Sequence, residues 1–313
     1  MKVLLAGGSG AIGLPLVRQL RAAGHEVVAI HRSAQGREEL LAAGVTPVRV
    51  DVLDRAALHA AVDGHRCAAV ISQLTAMKKA PTRHQDMAAT NRLRIEGTAN
   101  LLEVAKQIGA GRFVTQSMVF GYGYGDFGGR VLTEADPFGP PGHGRFEEHL
   151  AAMRSSEQQV LEGTHVEGIA LRYGLFYGPG PAGDALVDGL RRRRLPVVSG
   201  GGVQPWVYVD DAAAATVAAL ERGTAGSAYN VADDQPVSFS DLITAMATAL
   251  GAPRPRAVPS WLLTPMPYAK AIMTGGLRVA TAKAKHELGW APWAPTYRDG
   301  IAELAQHYHR EAA

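Results

Sequence analysis

The chain has 313 residues, of which 47% are hydrophobic and 19% are charged, and its formal net charge is +3. A chain of this length and composition can bury a large core and is too long for one minimal domain, so we expect one large and one small domain. The basic residues are scattered apart from the run at residues 191–194, which argues against a nucleic-acid surface. The single cysteine, Cys67, cannot form an internal disulfide, and the first residues resemble a strand more than a secretory signal, so we expect a cytoplasmic protein.

The first half of the sequence alternates between strand and helix patterns. Short apolar runs predict strands at residues 3–6, 26–30, 46–50, 68–72, 112–115 and 168–172. Helical periodicity predicts helices at residues 11–20, 90–108 and 146–161. This alternation predicts an α/β fold with a Rossmann-type, doubly wound parallel sheet, whose ligands bind at the carboxyl ends of the strands.

The second half predicts a smaller, mainly helical C-terminal lobe that binds the substrate. Residues 207–209 form a predicted strand, and Asp210 or Asp211 is expected to cap a helix at 212–220. Further helices are predicted at residues 240–250, 258–273 and 297–307. We therefore divide the chain into a dinucleotide-binding domain, residues 1–172 with 203–231 returning to it, and a substrate-binding lobe, residues 173–202 and 232–313.

Two stretches depart from this regular pattern. Residues 121–144 are rich in glycine, proline and aromatic side chains, which predicts a long functional loop without regular structure. Residues 258–273 are apolar but are interrupted by prolines and a lysine, so we expect no membrane span there.

The opening segment, MKVLLAGGSGAIG, places a glycine-rich turn directly after the first predicted strand. Gly7, Gly10 and Gly13 permit, in that order, a sharp turn, a close backbone approach to a pyrophosphate and close packing of the next helix. Gly8, Gly10 and Gly13 also fit the G-x-G-x-x-G pattern, and a turn without a ligand is the alternative. The strand before the turn and the second strand after the helix favour a dinucleotide site.

The end of the second predicted strand indicates which dinucleotide binds. NAD-specific proteins place an acidic residue there to bind the ribose hydroxyls, whereas this sequence has His31, Arg32 and Ser33. Arg32 and Ser33 can bind a 2′-phosphate through charge-assisted hydrogen bonds, so the sequence favours NADP over NAD. The alternative is that Arg32 is a solvated loop residue.

Seven motifs follow one another along nearly the whole chain: GGSGAIG, VRVDVLD, EGTANLLEVA, LRYGLFYGPG, VYVDDAA, YNVADDQPVS and KAKHELGW. In this order they resemble the extended short-chain dehydrogenase/reductases of the NAD-dependent epimerase/dehydratase type. The resemblance implies cofactor contacts at Gly7, Gly10, Ala11, Ile12, Gly13, Arg32, Asp51, Val52, Leu74 and Tyr173.

The catalytic residues of that family are not all present. Its members use a Tyr as acid/base, a Lys four residues later that lowers the Tyr pKa, and a Ser or Thr that holds the substrate oxygen. By position, His149 replaces the Tyr and Met153 replaces the Lys, and residues 146–153 contain no Tyr-x-x-x-Lys. The family's Ser or Thr corresponds to Gln116 or Met118, with Ser117 between them. The Asn of the family's central helix corresponds to Arg94.

The sequence therefore predicts an atypical member with altered acid/base chemistry. An imidazole titrates between about pH 5 and 8, so His149 could protonate a substrate carbonyl, with Ser117 or Gln116 orienting the oxygen. The alternative is that His149 is an exposed helix residue without a partner acid. Further candidates near strand ends or in the long loop are Tyr122, Tyr124, His143 and Tyr177. No metal site is expected, because His143 and His149 have no thiolate or third histidine near them at ligand spacing.

Two classes of function fit these features. The first is an NADP-dependent oxidoreductase or epimerase that acts on a carbonyl or hydroxyl group of a small metabolite, which is apolar or glycosylated because residues 261–266 are apolar. The second is an NADP-binding protein without redox turnover, either a redox-sensing regulator or a non-redox isomerase or lyase that uses the cofactor as a scaffold. The expected partner is a small-molecule substrate, with no nucleic acid or membrane, and the sequence leaves a homodimer open.

Overall fold

The computed structural model describes residues 1–77 and 80–312. Its strands are β1 (Lys2–Ala6), β2 (Glu26–His31), β3 (Thr46–Arg49), β4 (Ala69–Ser72), β5 (Arg112–Met118), β6 (Asp126–Leu132), β7 (Glu167–Tyr173), β8 (Leu175–Tyr177), β9 (Val197–Val198), β10 (Val203–Gln204), β11 (Trp206–Tyr208), β12 (Ser227–Val231), β13 (Val237–Ser238), β14 (Ala257–Val258) and β15 (Gly276–Val279). Its α-helices are α1 (Gly13–Ala22), α2 (Ala34–Ala42), α3 (Arg55–Ala61), α4 (Ala88–Arg92), α5 (Thr98–Ile108), α6 (Glu147–Leu161), α7 (Pro181–Arg191), α8 (Val209–Arg222), α9 (Phe239–Ala249), α10 (Pro267–Thr274), α11 (Ala282–Leu288) and α12 (Tyr297–Ala312).

Seven parallel strands form the central sheet in the order β12-β7-β5-β4-β1-β2-β3. Successive side chains of a strand point to opposite faces, so Val3 and Leu5 join the core beneath α1 and α8, while Leu4 and Ala6 join the core beneath α5. All four side chains are fully buried because helices cover both faces. The predicted doubly wound α/β fold is therefore confirmed.

The segment 121–144 is more regular than the sequence predicts. It contains β6, which pairs in parallel with β15 near the other end of the chain. The prediction of an unstructured loop was wrong because the pairing partner of β6 lies roughly 150 residues further on, beyond the range of local pattern reading. Residues 258–273 also differ from their prediction, since a short strand, a 3₁₀ turn at Ser260–Leu263 and α10 replace one helix.

The boundaries of two further elements differ from the prediction, and the difference changes the position of residues with predicted roles. Strand β5 continues to Met118, so Gln116 and Ser117 lie inside the strand and not after it. Helix α8 begins at Val209, so neither aspartate of the Asp210-Asp211 pair is its N-cap. The Asp211 carboxylate instead accepts hydrogen bonds from the backbone N–H groups of Trp293 and Ala294, at 2.7 and 2.9 Å, and thereby fixes the segment before α12.

The long helix predicted at 90–108 is interrupted. A π-helical turn, Leu93–Gly97, separates α4 from α5. Such turns insert an extra residue into the helical ladder and are frequent at functional sites. Arg94 lies in this turn and is only 8% exposed.

The chain returns to the sheet through β12, and its last segments pack on the strands and loops that follow β7. Within the described residues, no helix is long and apolar enough to cross a membrane. The boundaries of the two predicted domains remain a prediction.

Candidate functional site

The glycine-rich loop is packed very closely at Gly7 and Gly13 and less closely at Gly10. Gly7 has a φ of +92°, and a Cβ there would lie 2.5 Å from the carbonyl oxygen of Gln73. A Cβ on Gly13 would lie 2.4 Å from the Gly7 carbonyl oxygen, so α1 can approach the loop only without a side chain. At Gly10 the nearest atom to such a Cβ is 3.2 Å away and belongs to the loop itself. This geometry agrees with the sharp turn predicted at Gly7 and the close packing predicted at Gly13, while the pyrophosphate contact at Gly10 stays a prediction.

The first turn of α1 is suited to an anion. Its N-cap residue, Ile12, makes no side-chain capping bond, and the first turn carries no acidic residue. The Ile12 side chain is itself buried, so only backbone N–H groups are available to a ligand there. A groove of about 700 Å³ borders Gly10 and Ala11 and is bounded on its other side by residues that include Pro179 and Arg191.

Polar groups converge at the end of β2, where the sequence predicts the 2′-phosphate. Arg32 is half exposed, and its guanidinium lies 3.6 Å from the carboxylate of Asp51. The Ser33 hydroxyl accepts a hydrogen bond from the Gly36 N–H and caps α2. A Cβ on Gly36 would lie 2.9 Å from the Ser9 hydroxyl and 3.1 Å from the Ser33 hydroxyl, so both hydroxyls lie close to Gly36 in the first turn of α2. Sequence analysis missed Ser9, whose only signal is its place inside the glycine loop.

The remaining cofactor residues inferred from the resemblance are less exposed. Val52 is buried, and Val52 and Leu74 both lie beside Gly97. The Tyr173 side chain is fully buried, and its hydroxyl contacts Thr216 Oγ1 at 2.6 Å and Gln73 Nε2 at 3.2 Å. The Tyr173 side chain is therefore part of the core, and only its backbone remains for a cofactor contact.

His149 lies in the first turn of α6 and has no exposed surface, so the alternative of an exposed histidine was wrong. The Asn91 side-chain amide donates to Nδ1 of His149 at 2.8 Å, and the His84 Nδ1 atom lies 3.0 Å from Nε2. Because an amide N–H can only donate, the proton of His149 must be on Nε2 and is given to His84. Arg94 in turn donates to the Asn91 oxygen at 3.4 Å, which fixes the orientation of the amide.

The pKa of His149 is shifted away from the range that the sequence suggests. Burial, and after it the charges of His84 and Arg94, lower this pKa to about 4. The predicted titration between pH 5 and 8 is therefore wrong, and the imidazole is neutral at neutral pH. The physical reason is that, within the described residues, no carboxylate compensates the loss of water around the ring; Glu148, 3.6 Å away, is exposed.

Aromatic rings surround this imidazole. The aromatic cluster consists of His84, Tyr124, Phe146, His149 and Tyr268, which come from four segments of the chain, since Phe146 and His149 both lie at the start of α6. Tyr124 stacks on Phe146 with centroids 4.2 Å apart, and His84 meets the edge of Phe146 at 4.6 Å. The hydroxyls of Tyr124 and Tyr268 are 3.2 Å apart, and burial raises the pKa of both. Sequence analysis did not single out His84, Phe146 or Tyr268, because nothing local marks their proximity.

Tyr122 is part of a separate buried network. Its hydroxyl accepts a hydrogen bond from Arg172 and donates one to Asn230, each at 2.9 Å. Burial raises the pKa of Tyr122 to about 12. The hydroxyl proton of Tyr122 is thus given to Asn230, which argues against Tyr122 as an acid, and its catalytic role stays a prediction.

The two candidates on β5 differ in their surroundings. Gln116 is half-buried, whereas Ser117 is buried. The Ser117 hydroxyl has no hydrogen-bond partner among the described residues. A buried hydroxyl without a partner is rare, so Ser117 keeps its candidacy as a binding group.

Three side chains of this region could in principle hold a metal ion. Ligand atoms of His84, Glu148 and His149 lie within 4.8 Å of one another. However, the tautomer imposed by Asn91 puts a proton on the His149 nitrogen that faces His84, and a protonated nitrogen cannot bind a metal. The geometry therefore favours a hydrogen-bonded histidine pair.

Comparison with known proteins identifies the family. Residues 3–232 match the profile of the NAD dependent epimerase/dehydratase family. The 3-diazoavenalumate denitrifying reductase of a Streptomyces species is 36% identical over 96% of this chain and 99% of its own length. The 2-alkyl-3-oxoalkanoate reductase of Stenotrophomonas maltophilia is 30% identical over 81% of this chain and 77% of its own.

A solved structure extends this likeness over the whole chain. The UDP-glucose 4-epimerase of Thermus thermophilus, solved with NAD, is 27% identical, covers 99% of both chains and has a TM-score of 0.80. The related enzymes are reductases, epimerases and dehydratases. This chain is therefore an enzyme of the NAD-dependent epimerase/dehydratase family, within the extended short-chain dehydrogenase/reductases.

Proposed function

We propose that this enzyme is an NADPH-dependent reductase of a small, planar substrate whose apolar part is bound against the aromatic cluster. The observation that carries the proposal is the neutral, fully bonded His149 in the first turn of α6, where the family resemblance implies a catalytic Tyr. Apolar rings and a neutral imidazole suit a planar substrate better than a sugar, whose hydroxyls would need polar partners.

The cofactor preference is supported by the groups at both ends of the dinucleotide site. A Cβ on Gly10 would contact only the Gly7 carbonyl oxygen, and the Leu14 N–H remains in the first turn of α1, where the Gly13 N–H is already bonded and Pro15 has none; this arrangement suits a pyrophosphate. Arg32, together with the converging hydroxyls of Ser9 and Ser33, suits a 2′-phosphate. When bound, NADPH supplies a hydride to the substrate.

The acid/base groups narrow the type of substrate. Reduction of a ketone produces an alkoxide that must be protonated, and efficient donors have a pKa near the working pH. His149 is neutral and gives its one N–H to His84, and burial makes the Tyr124 and Tyr268 hydroxyls weak acids. These residues favour a reduction in which the protein does not supply a proton.

Reductive loss of dinitrogen from a diazonium compound meets that condition. The carbon gains the hydride with its electron pair, the carbon–nitrogen bond breaks towards nitrogen, and N₂ leaves without any proton transfer. The relative that is 36% identical over nearly the whole chain is named for a denitrifying reduction of a diazo compound. We therefore place diazo reduction first and reduction of a 3-oxo acid, suggested by the second relative, as the alternative.

Both reactions can be measured in one experiment. The protein is incubated with NADPH and either 4-carboxybenzenediazonium or a 3-oxoalkanoate, and NADPH absorbance and products are followed, with the Gly10→Val variant correcting for uncatalysed reduction. We expect one N₂ per NADPH, with deuterium from C4-deuterated NADPH on the carbon that carried nitrogen. Oxidation of NADPH by the oxo acid alone would favour the ketone reaction. Tight NADPH binding without oxidation by either compound would favour the non-redox class.

A further inference from the structure

Arg94 is a buried cation without a carboxylate partner. Among residues 1–77 and 80–312, no acidic side chain forms an ion pair with it, and its one hydrogen bond is the 3.4 Å contact to Asn91. A guanidinium has five N–H donors, so most of them are unused. Burial lowers the pKa of Arg94, yet an arginine stays charged in proteins.

The same chain neutralises a second buried arginine completely. Arg172 is 5% exposed, and its guanidinium binds both carboxylate oxygens of Glu157 and the hydroxyl of Tyr122. An unpaired buried charge is strongly unfavourable, and folding normally supplies a partner as it does at Arg172. The missing partner at Arg94 therefore indicates that an anion arrives from outside the chain.

The free donors of Arg94 remain within reach of a ligand. The fully enclosed polar atoms without a partner belong to Gln73, Ser117 and Gln204, and no nitrogen of Arg94 is among them in the described part of the chain. Asn91, which accepts the hydrogen bond from Arg94, donates one to His149 of the aromatic cluster. The guanidinium is therefore one side chain away from the rings against which the proposed substrate lies.

We infer that Arg94 binds a carboxylate of a planar, conjugated substrate whose apolar part packs on the aromatic cluster. This inference rests on the proposed function and adds the chemical class of the substrate. A carboxylate matches the flat guanidinium in a two-point contact and carries one charge, which one isolated cation balances. A diphosphate, as in a sugar nucleotide, carries at least two charges, of which the single charge of Arg94 would balance one.

Calorimetric titration of the protein saturated with NADP⁺ tests the inference without requiring turnover. The probes are trans-cinnamate and its uncharged match, trans-cinnamamide. We expect the wild type to bind cinnamate at least ~30-fold more tightly than cinnamamide. In Arg94→Gln this difference should disappear, because the affinity for cinnamate falls while the affinity for cinnamamide stays the same. Arg94→Lys should recover part of the affinity, because it restores the charge without the flat fork.

A matched control is available on the same helical segment. Arg92 lies two residues earlier, is exposed and pairs with Glu96, so Arg92→Gln should leave both affinities unchanged. Equal binding of acid and amide by the wild type, or unchanged cinnamate binding in a folded Arg94→Gln variant, would overturn the inference. If cinnamate binds through Arg94 but no substrate oxidises NADPH, the proposed function alone is overturned. If a substrate oxidises NADPH but the protein binds cinnamate no more tightly than cinnamamide, this inference alone is overturned.

Discussion

Arg94 and Arg172 make opposite contributions to stability. Because Arg94 is buried without an acid, its replacement by Leu removes an uncompensated charge, and we expect an unfolding temperature equal to or above that of the wild type. Replacing Arg172 by Leu instead leaves Glu157 buried and unpaired, which should lower the free energy of unfolding by about 3–5 kcal/mol. Thermal and urea unfolding of the two variants distinguish these cases. A large loss of stability in Arg94→Leu would show that this arginine supports the fold.

His149 makes the protein sensitive to acid. Its pKa is about 4 in the folded protein, below the value near 6.5 of an unfolded chain, so between these pH values the unfolded state binds a proton that the folded state does not. Stability is therefore unaffected above about pH 6.5 and falls by roughly 3 kcal/mol as the pH drops to about 4.

The effect is measured as a difference between variants. Asp233, whose pKa burial raises to about 8, changes stability in the opposite direction over the same range. Subtracting the pH profile of His149→Phe from that of the wild type removes the contribution of Asp233 and should leave the loss below pH 6.5. The exposed His286 provides the control, because His286→Phe should leave the profile unchanged. Identical profiles for the wild type and His149→Phe would contradict the lowered pKa.

At the level of elements, sequence patterns predict the central sheet well. Strands β1, β2 and β4 are continuous apolar runs, and each is bounded by glycine or by a polar turn, so local sequence suffices. Strand β6 was missed because it is glycine-rich and exposed and is defined by its pairing with β15. The π turn around Arg94 was missed for a similar reason, since its sequence has ordinary helical periodicity.

The glycine loop allows a test that separates binding from folding. Gly10→Val places a Cβ 3.2 Å from the Gly7 carbonyl oxygen, a contact that a small shift of the loop can relieve, so we expect a folded protein that does not bind NADPH. Gly13→Val places a Cβ 2.4 Å from the Gly7 carbonyl oxygen and should prevent folding. Gly111 has open space around it, so Gly111→Val is the control for the effect of replacing a glycine by valine outside the loop. Calorimetry and circular dichroism decide, and NADPH binding by folded Gly10→Val would show that the loop has only a packing role.

The junction of β2 and α2 determines the choice between NADPH and NADH. We expect NADPH to bind more tightly, because Arg32 and the N-terminus of α2 both attract a 2′-phosphate. Arg32→Ala should weaken NADPH binding by about 10- to 100-fold and leave NADH binding nearly unchanged. Fluorescence titration of both nucleotides measures the two affinities. Equal affinities in the wild type, or equal losses in the variant, would contradict the predicted 2′-phosphate site.

On the scale of the whole molecule, the candidate site is built from residues that the sequence keeps far apart. His84, Asn91, Tyr124, His149 and Tyr268 come from four stretches of the chain, the first two from the continuous stretch 84–92, and only the three-dimensional fold shows that they touch. The sequence identified His149 through its position in a motif, but its burial, its tautomer and its lowered pKa all depend on the other segments. The chemistry expected for an isolated imidazole therefore did not carry over to the folded protein.

The same long-range environment predicts how the reaction depends on pH. The sequence alone predicts that NADPH oxidation slows as the pH rises through about 6 to 8, because an imidazolium would lose its proton. The structure leads to a different expectation: with a His149 pKa of about 4 and tyrosine pKa values raised by burial, the rate of substrate-dependent NADPH oxidation should be constant over this range. A reaction without proton transfer should also proceed at nearly the same rate in D₂O. Initial rates with 4-carboxybenzenediazonium measure both effects, and a rate that falls with pH in the wild type but not in His149→Phe would restore His149 as the proton donor.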